Sequence, residues 1–269
     1  MEHIKPSARL CAAGKKKEAG FTLVELAIVM IIIGLLIGGV LKGQELINNA
    51  RISGTIAQLR GFQAAAAGFR DNFNALPGDM VNANTRLPNC AAAPCANGDG
   101  NGQILEFVGA APVAPAAGVG ENVGFMVHLQ RANLITGMDG TIAGAPGFGT
   151  TMPTGAIGGG FWAGQAAAGA ALPGFTVAEF RPGTYITLGG IPAAIGVGTG
   201  VLSAYQAASI DRKVDDGLPN SGSVIGSADA TANTGCRAAV AGPVPAGAGG
   251  AVYLETSSSS ICSIALRIE

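Results

Sequence analysis

Oxygen-bearing side chains recur at alternate positions in Asn97-Gly98-Asp99-Gly100-Asn101-Gly102, with a glycine in sixth place. Hard oxygen ligands at that spacing suit Ca²⁺, and the run resembles the start of a calcium loop. The count then departs from that pattern. Its twelfth position is Val108 rather than a bidentate acid, Glu106 comes early, and Asn97 stands where Asp is usual. Asn97, Asp99 and Asn101 are therefore candidate metal ligands, with a glycine-rich turn as the competing reading. Cys90, Cys95, Cys236 and Cys262 form an even set, apart from Cys11 near the N-terminus. Outside the cytoplasm such a set is expected to make disulfides. The short Ala/Pro loop between Cys90 and Cys95 favours their pairing and leaves Cys236 to tie down Cys262, although the sequence does not fix that connectivity. Zinc would need more ligands at metal spacing, and the only histidines are His3 and His128. Neither a Gly-x-Ser-x-Gly elbow nor a phosphate-cradling Gly-x-x-x-x-Gly-Lys loop occurs, so no enzyme is expected.

The elements that would carry these groups follow from composition and periodicity. Only 12% of the 269 residues are charged, 48% are hydrophobic and 43 are glycine, which argues against a disordered acidic chain and a basic nucleic-acid binder. The charge is unevenly placed. Before Phe21, Lys5, Arg9, Lys15, Lys16 and Lys17 face Glu2 and Glu18, whereas the rest of the chain holds 11 basic and 15 acidic residues. A basic segment, an apolar run and a mildly acidic remainder place the first segment in the cytoplasm and the bulk across a membrane.

From Phe21 to Leu41 the chain is apolar apart from Glu25, and as a helix it would span about 30 Å, a bilayer core. A secretory signal would place its small-residue cleavage site after such a run, whereas here Gly20 precedes it. A simple anchor leaves Glu25 unexplained, since a carboxylate in the bilayer is costly unless something pairs with it. Beyond the span, Ile52, Ile56, Leu59, Phe62, Ala66, Phe69 and Phe73 recur every three or four residues and predict one face of an amphipathic helix ending before Pro77-Gly78.

Gly20-Phe21-Thr22-Leu23-Val24-Glu25 resembles the processing site of type IV prepilins and type II secretion pseudopilins. The resemblance implies cleavage between Gly20 and Phe21 by a prepilin peptidase and N-methylation of Phe21. It also implies an assembly role for Glu25, neutralising the N-terminal amine of a neighbouring subunit. Each charge is costly alone in an apolar filament core, and paired they set the register between subunits. Many type IV pilins carry a proline where this chain has Lys42, so flexibility there would rest on Gly34, Gly38, Gly39 and Gly43. Gly34 and Gly38 also form a small-xxx-small pair suited to close helix packing. Asn74-Ala75-Leu76-Pro77-Gly78-Asp79-Met80 is similar to a segment often seen after the long helix in pseudopilin-like proteins, where it turns the chain into the head domain.

The expected fold is α+β and type IV pilin-like. A leader over 1–20 precedes a membrane-spanning helix over 21–41, its amphipathic continuation over 42–76, and a head domain over 77–269 built on an antiparallel β-sheet with Gly-rich loops. Glu121 to Ile135 reads as a short helix ended by Gly137, with His128 in a structural role. Tyr185–Leu188, Val252–Leu254 and Ile261–Leu266 are the strand candidates, and 137–200 is rich in Gly and Ala with Phe161, Trp162, Phe175 and Phe180 interspersed. Asp211, Asp215 and Asp216 read as an Asp-rich surface turn between the apolar segment Ser203–Ile210 and a strand. The resemblance offers a second reading, since major pseudopilins hold calcium in a C-terminal loop, and Ca²⁺ is the one candidate cofactor.

The resemblance thus implies a structural subunit whose partners are itself and other pilins, the prepilin peptidase and an inner-membrane assembly platform. It would begin as a single-pass inner-membrane protein and end in a periplasmic pseudopilus or an extracellular pilus. Removal of the leader would leave 249 residues, long for a major subunit. The alternative is therefore a minor or tip pilin acting as a filament-displayed adhesion module, which an exposed patch around Phe161 and Trp162 would support.

Overall fold

The computed structural model describes residues 20–91, 94–104, 120–141, 147–166, 172, 175, 180–190, 200–227, 236–238, 251–257 and 260–268. The leader up to residue 19 and the positions of Glu106 and Val108 lie outside the described residues, as does much of the Gly/Ala-rich stretch. The chain divides into two compact units, one ending at Ile47 and the other beginning at Asn48.

Helix α1, Leu23–Phe73, runs through 51 residues. Up to Ile47 its large apolar side chains are exposed, and burial starts at Ile52. Lys42 interrupts nothing: its Nζ lies 2.6 Å from Glu45 one turn on, an exposed pair worth only a few tenths of a kcal/mol. From Ile52 to Phe69 the predicted stripe is buried, with Thr55 and Ala65 added to it, and Phe73 at its end is half-buried. The helix stops where Asn74 turns left-handed at φ 52°, and Arg86 from the short helix α2, Ala83–Arg86, caps it by donating to the Phe73 carbonyl at 2.9 Å.

Helix α3, Glu121–Arg131, ends earlier than the apolar pattern suggested. Asn133 takes a left-handed φ of 57°, so the Leu134 N–H turns back to the Leu129 carbonyl and the helix cannot run on to Ile135. The segment beginning at Ser203, read from sequence only as apolar, is helix α4, Ala204–Val214. Its start is a capping box in which the Ser203 hydroxyl accepts from Gln206 N–H while the Gln206 side chain accepts from Ser203 N–H.

The head sheet is antiparallel throughout, in the order β1, β2, β6, β4: Gly160–Ala166, Gly183–Gly189, Ile264–Arg267 and Val224–Gly226. Alternation divides its side chains. Phe161, Ile186, Leu188, Ile264, Leu266 and Val224 join the core that includes the buried face of α1, where Phe161 meets Phe62 at 5.0 Å between ring centroids. The opposite face, with Tyr185, Ile225 and Ala265, is covered by Leu172, Phe175 and Phe180. Polar side chains of α1 also hold the head: Gln58 bonds to Thr154 O and Ala156 N, and Gln63 donates to Arg267 O.

Two strand expectations change. Ile261–Leu266 is not one strand but two, β5 (Ser260–Cys262) and β6, because at Ser263 the chain crosses from one sheet to the other. β5 pairs with β3, Leu202–Ser203, while Ser263 N–H is taken by the Ser227 hydroxyl. Val252–Leu254 forms only a bridge, between Tyr253 and Arg237.

Candidate functional site

At the N-terminal end of α1, Thr22 is the last residue before the helix and Glu25 lies in its first turn. The Thr22 N–H and hydroxyl both donate to Glu25 Oε2 at 2.9 Å, and the Glu25 N–H returns to Thr22 Oγ1 at 3.2 Å. This reciprocal cap satisfies amides that a helix start leaves open and places a carboxylate at the positive end of the helix dipole. Phe21 is 86% exposed, and the apolar residues after it are exposed to Ile47. Among the described residues no cation pairs with Glu25. The helix is long and apolar enough to cross a membrane, and none of its most apolar stretch is buried within the chain.

In the head, the loop that begins at Asn97 wraps a carboxylate. Asp79, 4% exposed, accepts N–H groups from Gly100 and Asn101 on Oδ1 and from Gly102 on Oδ2, at 2.7 to 3.1 Å. The side-chain oxygens predicted as ligands bond to nearby amides: Asn97 Oδ1 to Asn84 N–H, Asp99 Oδ1 to Asn101 N–H, and Asn101 Oδ1 to Gln103 N–H. Asp79, Asp99 and Glu121 each place an oxygen within 4.8 Å of the others, a set that could hold a divalent cation. Burial pushes the Asp79 carboxyl up and the neighbouring Asp99 adds to it, against the lowering by the Gly102 and Gly100 amides. Asp79 and Glu121 escaped the sequence reading because Pro77-Gly78-Asp79 signals a turn in any protein. The turn is tight: Gly78 has φ 88°, and a Cβ there would lie 2.3 Å from the Glu121 carbonyl.

His128 is fully buried on α3. Its Nδ1 accepts the Gly78 N–H at 2.9 Å and its Nε2 lies 2.9 Å from the Ala96 carbonyl, which assigns the proton to Nε2 in a neutral ring. Burial pushes its pKa down to about 4. Cys90 is bonded to Cys95 and Cys236 to Cys262. His128 lies against the first bridge, with a ring nitrogen within 4.8 Å of both sulfurs, a proximity the spacing gave no sign of. The sulfurs being joined, they are not thiolate ligands.

In the third group, Asp215 and Asp216 lie in the expected connection between α4 and β4, Asp216 exposed and Asp215 half-buried, whereas Asp211 does not. Asp211 is fully buried within α4, its Oδ2 accepting from the Tyr253 hydroxyl at 2.9 Å and its Oδ1 from Gly217 N–H at 3.1 Å. Burial pushes it up to about 7, aided by Asp216 and Asp215. Asp215 accepts from the N–H groups of Ser223 and Val224, and Asp216 from the Leu218 N–H and the Ser221 hydroxyl. These three acids also converge within 4.8 Å and could hold a cation. Phe161 and Trp162 form no exposed patch: both are buried in β1.

No curated protein and no solved structure matches the chain. Residues 15–41 match the family model described as the prokaryotic N-terminal methylation motif. The segment that holds the Thr22–Glu25 cap and the start of the exposed apolar helix is thus the part of the chain that matches the prokaryotic N-terminal methylation motif, a match consistent with the prepilin and pseudopilin family.

Proposed function

We propose that the protein is a non-enzymatic structural subunit of a type IV pilus-like or type II secretion pseudopilus filament. A prepilin peptidase cuts between Gly20 and Phe21, Phe21 is N-methylated, and the subunit waits in the inner membrane with its head on the far side. An assembly platform then lifts it into a helical fibre with copies of itself and other pilins. The observation that supports this reading best is the match to the methylation motif at residues 15–41 leading into a helix whose apolar side chains up to Ile47 are exposed among the described residues. Packing against like helices would cover them. Within that packing, Glu25 would pair with the Phe21 amine of a neighbour, since a charge left alone among apolar helices costs more than a pair does.

Intact-mass spectrometry of the membrane-extracted protein, from cells with and without the native peptidase, tests the processing. A chain beginning at N-methylated Phe21 only when the peptidase is present is expected; residues before Phe21 retained in both would overturn it. For assembly, Glu25→Ala should still be processed and should form no filaments. Calcium belongs to the same reading as the candidate ligand of the two acidic trios, on the convergence of their carboxylates.

A further inference from the structure

The Glu25 carboxylate is used unevenly. Both Thr22 donors end on Oε2, and no bond from the described residues reaches Oε1. Around it, Phe21, Leu26, Ile28 and Val29 line an apolar groove in which, among the described residues, Glu25 is the only charge. We propose that Thr22 is a positioning residue, fixing one oxygen of Glu25 so that the other is presented to the Phe21 amine of a second copy of this chain.

This rests on the filament reading and names the part of the helix start that prepares the pairing. A free glutamate loses rotamer freedom when it pairs, and a side chain already tied at one oxygen has less to lose. The occupant follows from the groove: an apolar surface with one negative charge suits a segment with one positive charge beside an aromatic ring. The new N-terminus at Phe21 supplies both. Cleavage between Gly20 and Phe21 leaves the Thr22 amide and hydroxyl intact, so the cap survives processing and is in place when the amine appears.

The test uses the full chain in cells with the native peptidase and assembly machinery. The sheared filament fraction is measured per mature N-methylated subunit, so that changes in cleavage do not enter. Thr22→Val keeps the shape and loses the hydroxyl donor; it should lower the fraction roughly tenfold, the scale of one hydrogen bond to a charged group. Thr22→Ser restores the donor and should return the fraction to near that of the natural chain. Filaments from Thr22→Val at the natural level overturn the inference, and so does a Thr22→Ser as defective as Thr22→Val, which would trace the effect to the lost methyl. Glu25→Gln separates the two levels. If it assembles normally, charge pairing itself fails and this inference with it; if it is blocked while Thr22→Val assembles normally, only the role of Thr22 falls.

Discussion

Acid should weaken the head through His128, and the size of the effect can be worked from its surroundings. The ring is fully buried, with Gly78 N–H pointing at Nδ1, so a second proton would set two N–H groups against each other and bury a charge. Its pKa falls from 6.5 to about 4 on folding. Because the unfolded chain takes the proton first, stability is complete above the unfolded value, declines as pH drops through that window, and levels off below the folded value. The total loss is about 3 kcal/mol, with roughly 2 kcal/mol of it reached at about pH 5. Asp211 works in the opposite direction. Its folded pKa is raised from 3.8 to about 7, so its contribution is fully present below the unfolded value and is lost as pH rises through the folded one. A raw stability profile mixes the two. The clean quantity is the difference between the natural chain and His128→Asn, whose amide oxygen can take over the Gly78 N–H without titrating. Urea unfolding of a fragment beginning at Asn48, followed by circular dichroism from neutral pH to about pH 4, should show that difference shrinking by about 3 kcal/mol. A difference that stays constant across the range would refute the assignment of His128 as a neutral acceptor.

Three further outcomes follow from the packing. Phe62→Ala removes the ring that meets Phe161 and should cost about 3 to 5 kcal/mol of head stability in the same unfolding assay; a loss under about 1 kcal/mol would mean α1 is not docked through this contact. Asp79→Ala leaves the Gly102 amide without its acceptor and takes one of two acceptors from the amides of Gly100 and Asn101, and hydrogen exchange at Gly102 should accelerate by roughly tenfold or more, while exchange in α4 stays as it was. Millimolar Ca²⁺ should raise the melting temperature of the same fragment, with the rise lost on adding a chelator and reduced in Asp216→Asn. An unchanged melting temperature would discard both acidic trios as cation sites.

What the sequence disclosed and what it hid divide along the range of the interactions involved. The buried stripe from Ile52 to Phe69 repeats every three or four residues, a local signal that survives whatever the helix packs on. Tyr185–Leu188 was legible for the same reason, its β-branched and aromatic residues being bounded by turn formers. β1 was harder to place, since Gly160, Ala163 and Gly164 blur the alternation that its pairing with β2 imposes. α4 is rich in small and polar residues, yet its start carried a readable sign in the Ser203/Gln206 capping pair. The break at Ser263 had none, because it depends on a hydroxyl from Ser227, just past the end of β4. The same holds for Asp79: its partners come from a loop about twenty residues on, and the neighbouring Glu121 from the start of α3, so no short window of sequence contains the site. At the N-terminus the reverse applies. Thr22 and Glu25 sit three residues apart, and everything that bonds them is in the motif itself.

The placing of β6 between β2 and β4 has a consequence for how the head is made. Among the described strands, residues 264–267 come last in sequence yet lie between β2 and β4 in space, so the sheet has a gap until they arrive. A chain threaded across a membrane with its N-terminal helix held back would deliver this strand after all its neighbours. Until then β2 and β4 would each present an open edge, ready to pair with another chain. In such a chain this late, long-range closure would be slow, and it would expose the head to aggregation before β6 arrives more than after it. Shortening the chain before Ile264 would therefore do more harm than the loss of a few residues suggests, and a chaperone that guards strand edges would find its task between the emergence of β4 and the arrival of β6.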